Sequence, residues 1–288
     1  MISVVINTFN EEKDLERAIA STRPLAEEIL VCDMGSSDGT ATLARKLGAK
    51  VITHPREEYV EKVRNFMIAK TSGNWVLVLD PDEELPPSLM KRLKAIVKNP
   101  PADYFRLPRK NVIFGKWIKN TQWWPDYQIR FFKKGFVSWD EVVHAVPMTQ
   151  GKGADLPAKE ENAILHRNYT SIGQYLEKLH RYTTGQAEAL LKSGYVFIWS
   201  DLVVKPLNEF FGRFFAGRGY QDGLHGLVLS SLQAFSELVV YLKVWEKQGF
   251  KEKEISRKEF KTEFKKAIKN FKWWLRKEFS WFTFPKLP

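Results

Sequence analysis

The sequence has little cysteine and no uninterrupted apolar segment long enough to cross a membrane. Cys32 is the only cysteine among 288 residues, which excludes an intramolecular disulfide and predicts a reducing, cytoplasmic environment. It lies in the apolar run EILVCD, so we interpret it as a core residue. We expect no signal peptide ahead of the strand-like segment that starts at Ile2. The most apolar later stretch, Leu224 to Trp245, predicts no ordinary membrane-spanning helix, because polar or charged side chains interrupt it at His225, Gln233, Glu237 and Lys243.

Positive charge is concentrated at the C-terminal end. The net charge is +11, and residues 251–288 carry twelve Lys or Arg against five Glu, an excess of seven positive charges. Such a block indicates an anionic partner, namely nucleic acid, lipid headgroups or an acidic substrate. Ser256 to Glu259 (SRKE) is a capping-box motif, and apolar residues then recur at helical spacing, at Phe260, Phe264, Ile268, Phe271 and Leu275. The tail is therefore predicted to be an amphipathic helix, which either lies on a membrane surface or packs on the chain's own helices.

Strands and helices alternate over the first hundred residues. Apolar runs bounded by turn residues predict strands over 2–6, 28–33, 50–53 and 75–79, and helical periodicity predicts helices over 12–21, 41–47 and 59–71. This alternation predicts an α/β fold with a mostly parallel, Rossmann-like sheet flanked by helices. Residues 103–150 are irregular and aromatic and predict short β segments and loops, whereas the chain from Ser171 onward predicts a helical C-terminal region.

Acidic and polar side chains follow the predicted strands at the points where they end. Asn10 and Glu11 follow the first strand, Asp33 closes the second, and Asp80 and Asp82 follow the fourth. Ligands of parallel sheets bind beyond the carboxyl ends of the strands, so this spacing predicts one acidic crevice. Two carboxylates one residue apart, in a turn stiffened by a proline, suit a hard divalent cation such as Mn²⁺ or Mg²⁺ that also binds substrate phosphates.

Three segments of the first domain stand out together: SVVINTFNEE (3–12), VCDMGSSDGT (31–40) and VRNFMIAKTSGNWVLVLDPDE (63–83). They resemble glycosyltransferase family 2, whose nucleotide-binding domain has the GT-A fold. The later runs FGKWIKNTQWWPDYQIRFFKKG (114–135), VVHA (142–145) and FAGRGYQDGLHGL (215–227) are similar to the lipopolysaccharide core β-glucosyltransferases of that family. The resemblance covers about residues 1 to 246, and the tail beyond residue 250 adds nothing to it.

The resemblance assigns roles in donor binding. It implies that the first loop surrounds the base and ribose of a UDP-sugar through Thr8, Phe9, Asn10 and Glu11. Asp33 would accept a hydrogen bond from uracil, and Arg64 would contact the diphosphate or hold the nearby loop. Asp80 and Asp82 would bind ribose and metal. His144 would complete the metal shell or be a structural histidine, and Ala145 departs from the acid that the subgroup often has after that histidine.

The resemblance also implies inversion at the anomeric carbon, for which one carboxylate must deprotonate the acceptor hydroxyl. Asp126 in WWPDYQ matches the subgroup and is the candidate base, with Asp140 and Glu141 as alternatives; otherwise Asp126 is a turn residue after Pro125. Arg130 and Gln128 would orient this loop.

We therefore expect three regions: a GT-A nucleotide-sugar-binding and catalytic domain (1–165), a helical acceptor or membrane-proximal region (166–250) and a basic aromatic helix and tail (251–288). The predicted activity is transfer from a UDP-sugar, such as UDP-glucose, to a lipopolysaccharide core or lipid-linked saccharide. The predicted location is the cytoplasmic face of the inner or plasma membrane, at an anionic lipid surface. The alternatives are a sugar nucleotidyltransferase, for which no Gly-rich phosphate loop is present near the start, and a basic nucleic-acid-binding protein. We expect no nucleic-acid partner, because an acidic crevice would repel phosphates unless metal is bound.

Overall fold

Twelve strands and eight α-helices are described in the computed structural model, which covers residues 1–57, 60–139 and 147–278. The strands are β1 (Ile2–Thr8), β2 (Glu28–Asp33), β3 (Lys50–Thr53), β4 (Trp75–Leu79), β5 (Glu83–Glu84), β6 (Tyr104–Ile113), β7 (Lys116–Trp117), β8 (Asp126–Lys133), β9 (Val137–Ser138), β10 (Met148–Thr149), β11 (Gly153–Asp155) and β12 (Ile164–Tyr169). The helices are α1 (Glu12–Thr22), α2 (Thr40–Lys46), α3 (Glu61–Ala69), α4 (Pro87–Lys98), α5 (Ile172–Lys192), α6 (Asp201–Phe211), α7 (Leu224–Lys247) and α8 (Arg257–Glu278).

Within the described residues ten of these strands form one sheet, eight of them in the order β3-β2-β1-β4-β8-β6-β12-β5, and β9 and β10 pair separately. The first four are parallel, as the strand–helix alternation predicts, and β2, β3 and β4 have the predicted bounds. Strand β8 reverses the direction by pairing antiparallel with β4 and with β6. The prediction of an α/β fold is confirmed, and the antiparallel half is the part that the aromatic stretch after residue 103 contributes.

Strands β1, β2 and β4 are buried on both faces, which explains their continuous apolar sequences. One face packs against α1, α2 and α4 through residues such as Ile6, Leu15 and Leu89. The other packs against α3 through residues such as Val5 and Met67, and Cys32 belongs to this second core, as its apolar context predicts. A sheet held from both sides fixes the carboxyl ends of its strands, where the predicted site residues lie.

The chain divides into two units, the first with residues 1–112 and 125–168 and the second with residues 113–124 and 169–288. The three predicted regions have different boundaries and remain predictions. The second unit is mostly helical, as the sequence predicts from Ser171 onward, and α7 packs against both α5 and α6. The predicted capping box forms at the start of α8: the Glu259 amide donates to Ser256 Oγ (3.1 Å) and the Ser256 amide donates to Glu259 Oε2 (2.9 Å).

Helix α7 covers the stretch in which the sequence predicts no membrane-spanning helix. It runs unbroken for 24 residues and is long and apolar enough to cross a membrane, contrary to that prediction. Glu237 and Lys243 are the only Asp, Glu, Lys or Arg residues between Leu224 and Trp245. Length and composition are weak evidence for a span, because core helices of soluble proteins share them.

Candidate functional site

The carboxyl ends of β1, β2 and β4 meet at one edge of the sheet. Thr8 pairs with Asp33 in the register of β1 and β2, and Ile6 pairs with Leu79 in that of β1 and β4. Asp80 directly follows Leu79, so it leaves the sheet beside the end of β1. The structure therefore brings Thr8, Asp33 and Asp80 together at the edge where an acidic crevice is predicted.

The first loop is tied to the second by hydrogen bonds from its own side chains and backbone. Asn10 has a left-handed φ of 56°, and its Oδ1 accepts a hydrogen bond from the Ser37 amide (2.8 Å). The Glu11 amide donates to Thr40 Oγ1 (2.9 Å), and Thr8 Oγ1 donates to the Cys32 carbonyl (2.9 Å). These contacts fix the shape of the loop around Phe9.

Phe9 and Asn7 complete this end of β1. The guanidinium carbon of Arg56 lies 3.8 Å from the centre of the Phe9 ring, a cation–π geometry. Asn7 is 5% exposed, and neither atom of its side-chain amide has a hydrogen-bond partner among the described residues. A buried polar group without a partner costs roughly 1–3 kcal/mol, so an amide at this edge is suited to a ligand that supplies the missing bonds.

Asp80 is surrounded by arginines. Arg64 Nη2 lies 3.3 Å from Asp80 Oδ1, and Arg130 bonds to both carboxylate oxygens. Burial would raise the pKa of Asp80, but the positive charges of Arg130 and Arg64 outweigh it and hold the pKa well below its usual range. Asp80 is therefore ionised, and much of its charge is already neutralised by protein groups.

Glu83 fixes the turn that carries the two aspartates. It is fully buried, its Oε2 accepts the Asp80 amide (2.9 Å), and its Oε1 accepts from Arg130 Nη2 (2.8 Å) and Arg109 Nη1 (3.2 Å). Arg130 is 3% exposed, and its pKa is raised because Asp80 and Glu83 outweigh the effect of burial. This buried ion-pair network is a rigid base for the Asp80–Asp82 turn.

Asp126 is the first residue of β8 rather than a turn residue, and it accepts hydrogen bonds from three side chains. Arg109 Nε donates to its Oδ2 (2.8 Å), Asn111 Nδ2 donates to the same oxygen (3.1 Å), and Gln128 Nε2 donates to Oδ1 (2.9 Å). Burial would raise the pKa of Asp126, but Arg109 and these hydrogen bonds lower it overall. The carboxylate is therefore ionised and fixed in place.

Asn111 and His166 link Asp126 to Asp82. Because the Asn111 amide nitrogen donates to a carboxylate, its oxygen faces His166, whose Nδ1 lies 2.6 Å away and must carry the proton. In the neutral imidazole Nε2 then has the lone pair, and this atom lies 3.5 Å from Asp82 Oδ2. Both linking residues are buried.

This donor set fits a divalent cation. Asp82 supplies a carboxylate oxygen, and His166 supplies an imidazole nitrogen whose orientation is fixed by a hydrogen bond on the other side of the ring, as is usual for metal-binding histidines. The described residues contain no group of three or more His, Cys, Asp or Glu that could hold a metal ion, so further ligands would come from substrate, from water or from residues outside the described ranges. The predicted ligand His144 and the alternative bases Asp140 and Glu141 lie outside the described residues.

Glu83, Arg109, Asn111 and His166 belong to this site although the sequence patterns did not single them out. Glu83 is the third acid of DPDEE and could have been found as the residue that closes the turn. His166 occupies an inward position in the strand sequence ILHRNY, where a buried polar side chain is unusual. Arg109 and Asn111 show no local signal, because their partners lie 15 to 55 residues away in sequence.

The chain is similar to proteins of one family. The sequence profile described as "Glycosyl transferase family 2" matches residues 3–150. An uncharacterized glycosyltransferase of Rickettsia typhi is 30% identical over 254 residues, which cover 85% of this chain and 87% of the relative. The lipopolysaccharide core biosynthesis glycosyltransferase LpsC of Rhizobium meliloti is 22% identical over 258 residues, which cover 87% and 94%.

Among solved structures, the chain is similar to the glucosyl-3-phosphoglycerate synthase of Mycobacterium tuberculosis, crystallised with Mn²⁺ and UDP-glucose. The identity is 28%, the coverage is 37% of this chain and 42% of the other, and the TM-score is 0.33. The match of the family profile over half of the chain and the full-length likeness to the rickettsial relative establish the family. The chain belongs to glycosyltransferase family 2, and its α/β unit has the GT-A fold.

Proposed function

We propose that this glycosyltransferase moves a sugar, with inversion, from a UDP-sugar to a saccharide acceptor at a membrane surface. Glucose is the proposed donor sugar, and a lipopolysaccharide core or another lipid-linked saccharide is the proposed acceptor. The single observation that carries the proposal is the rigid turn after β4, where Asp80 and Asp82 stand at the same sheet edge as Thr8 and Asp33.

The proposed donor site follows this edge. Phe9, Asn10 and Glu11 would surround the base and ribose, with Asp33 as hydrogen-bond acceptor for uracil. The Asn7 amide would make further hydrogen bonds to the donor, which accounts for its lack of partners among the described residues. Arg64, on α3 beside Asp80, would contact the diphosphate.

A divalent cation, Mn²⁺ or Mg²⁺, would be held by Asp82 with His166, and Asp80 would bind the ribose or the same cation. When bound, such a cation neutralises negative charge on the departing diphosphate. The chain's own residues hold the turn: Glu83 and Arg130 keep Asp80 in place, and Asn111 keeps the His166 nitrogen directed at Asp82. His144 remains a proposed further ligand.

Asp126 is the proposed general base. Its ionised carboxylate can take the proton of the acceptor hydroxyl while that oxygen attacks the anomeric carbon and the bond to the diphosphate breaks. Arg109 and Asn111 orient it, and the same contacts lower its proton affinity. The connection through Asn111 and His166 to Asp82 supports placing the base beside the donor turn.

Lipopolysaccharide core as acceptor class is supported by the resemblance to that subgroup and by the name of the relative LpsC. The basic tail supports an anionic membrane surface on the cytoplasmic side. Phe271 and Phe260 of α8 stack on Phe211 and Trp199, with ring centres 4.5 and 6.3 Å apart, so part of its apolar face packs on the chain. Phe264 remains 48% exposed.

A donor screen by thermal shift tests the donor half of the proposal. We expect UDP and UDP-glucose to raise the melting temperature only when Mn²⁺ or Mg²⁺ is present, and we expect Asp82→Ala to lose this effect. Glu84→Ala is the matched control, since Glu84 pairs with Arg167 on the same sheet but outside the crevice. Stabilisation by UDP that needs no metal would contradict the proposal, and turnover of UDP-sugar without an acceptor product would favour a nucleotidyltransferase.

Transfer assays test the base. Asp126→Ala should keep metal-dependent UDP binding and lose at least about a hundredfold in transfer rate, which is the usual contribution of general-base catalysis. Asp140→Asn and Glu141→Gln are the comparison variants. If the Asp126 variant still transfers sugar at a substantial rate and the Asp140 or Glu141 variant loses transfer, the residue changed in the inactive variant is the base.

Co-sedimentation with anionic liposomes tests the role of the tail. Reversing the charge of three exposed lysines of α8 should weaken binding to the liposomes, whereas the same charge reversal on α4 should not. The changed residues are Lys261, Lys265 and Lys269 in α8, and Lys91, Lys94 and Lys98 in the control. Equal effects of the two triple variants would show that the charge of the tail has no special role in liposome binding.

A further inference from the structure

Helix α7 has an exposed apolar stripe along its whole length. Leu224, Leu227, Phe235 and Leu242 are 72%, 41%, 45% and 37% exposed, and Ser231 between them is also exposed. Their spacings of three, four or seven residues return to one side of a helix at every step. From Leu224 to Leu242 the stripe covers five turns, which corresponds to about 27 Å.

Three polar residues in the middle of α7, namely Gln233, Ser236 and Glu237, point away from this stripe. Gln233 Nε2 donates to the Tyr175 hydroxyl of α5 (2.9 Å), and the hydroxyl of Ser236 lies 3.3 Å from the same oxygen. Glu237 interacts with Glu209 and Lys205, which belong to α6. A stripe of large apolar side chains therefore faces outward, while polar groups in the middle of the helix contact protein; Leu229, Val240 and Val244 are buried on its inner side.

A core helix would bury such an apolar sequence, but only 28% of the most apolar 18-residue window of α7 is buried. No Asp, Glu, Lys or Arg occurs in α7 before Glu237. An exposed stripe without charge is typical of a surface that contacts lipid or another protein.

We propose that the α7 stripe is inserted into the surface of an anionic bilayer, with the helix lying parallel to the membrane. The inference rests on the membrane location proposed above but not on the sugar-transfer chemistry. The net charge of +11 attracts the chain to anionic lipids and opposes association with a second copy. A stripe one residue wide is also too narrow for a stable dimer, which buries about 800 Å² on each partner.

The single native cysteine permits a direct test in the full-length chain. Cys32 is fully buried, and burial raises the pKa of its thiol to about 12, so an introduced surface cysteine can be labelled selectively. Phe235→Cys and Leu227→Cys would carry an environment-sensitive fluorophore, and Met148→Cys, at an exposed apolar residue of the first unit, is the matched control. The vesicles contain phosphatidylcholine with or without phosphatidylglycerol, and quenchers are placed on the acyl chains.

On anionic vesicles the labels at positions 227 and 235 should shift to the blue and be quenched from the acyl chains, while the label at position 148 should not change. The double variant Leu227→Glu, Phe235→Glu should partition about tenfold or more weakly, because two apolar side chains no longer leave water. The unmodified chain should stay on anionic vesicles when the salt concentration is raised to about 1 M after binding. Charges are then screened beyond roughly 3 Å, whereas insertion of the apolar stripe does not depend on charge.

Three results would overturn the inference. The first is sedimentation with vesicles while the labels at 227 and 235 stay in water, which would leave the tail as the membrane contact. The second is no binding to anionic vesicles at all. The third is a blue shift without lipid that depends on protein concentration, which would assign the stripe to a second copy. Metal-dependent stabilisation by UDP is measured on the same variants, so failure of the donor site is detected separately.

Discussion

Replacing Arg130 by methionine should lower the stability of the first unit more than the loss of an exposed ion pair would. Arg130 is 3% exposed and contacts Asp80 and the fully buried Glu83. Without its guanidinium, Asp80 keeps Arg64 at 3.3 Å and Glu83 keeps Arg109 at 3.2 Å. Two carboxylates, one of them fully buried, then share less compensating positive charge.

Removing one partner of a buried ion pair typically costs about 3–5 kcal/mol, because the other charge is left uncompensated. For a folding unit of this size, 1 kcal/mol corresponds to about 2–4 °C in melting temperature, so we expect a drop of roughly 6–20 °C. Methionine fills much of the volume of the arginine side chain, so the loss reports mainly on charge rather than on a cavity.

The assay is thermal unfolding followed by circular dichroism in buffer without divalent metal. The control is Arg106→Met, since Arg106 makes two hydrogen bonds of 2.6 Å to Asp155 but is 51% exposed, and such surface pairs contribute about 0–1 kcal/mol. A melting temperature of Arg130→Met within about 2 °C of the control variant would refute the idea that buried charge pairing supports the metal-binding turn.

Three further predictions concern individual site residues. Asp126→Asn should lower the melting temperature near pH 7, and the difference from the wild type should shrink below about pH 4. A carboxylate whose pKa is lowered in the folded state stabilises the protein above its unfolded-state pKa, and this contribution is lost as the pH falls through the folded-state pKa. Thermal unfolding across this pH range measures the difference, and a difference that stays constant would contradict the prediction. His166→Leu should weaken UDP binding in the presence of Mn²⁺ about tenfold in calorimetry, whereas an unchanged affinity for UDP in Mn²⁺ would exclude His166. Asn7→Leu should leave the ligand-free protein at least as stable as the wild type and reduce its stabilisation by UDP; a destabilised ligand-free variant would show that the amide has partners in the protein.

The parallel half of the fold could be predicted from the sequence for a simple physical reason. Strands buried on both faces, such as β2 and β4, are continuous apolar runs with turn residues at each end, and a local window is enough to find them. The position of Asp80 at the sheet edge follows from the same pattern, because parallel strands place their carboxyl ends on one side.

The antiparallel half could not be predicted in this way. β6 is a ten-residue strand whose alternation of apolar and polar residues is interrupted by Pro108 and by Arg109 and Asn111, which face the site. β8 likewise begins at Asp126. The partners of these residues come from other strands, and only the folded chain shows that the acidic turn is supported by buried arginines.

The most direct test of the central claim is the location of Mn²⁺ by anomalous scattering in crystals grown with UDP-glucose. We predict one anomalous peak within about 2.0–2.3 Å of an Asp82 oxygen and of His166 Nε2, with the diphosphate on its far side and uracil near Asp33. A donor bound elsewhere, or a donor bound at this edge with no metal beside Asp82, would contradict the account.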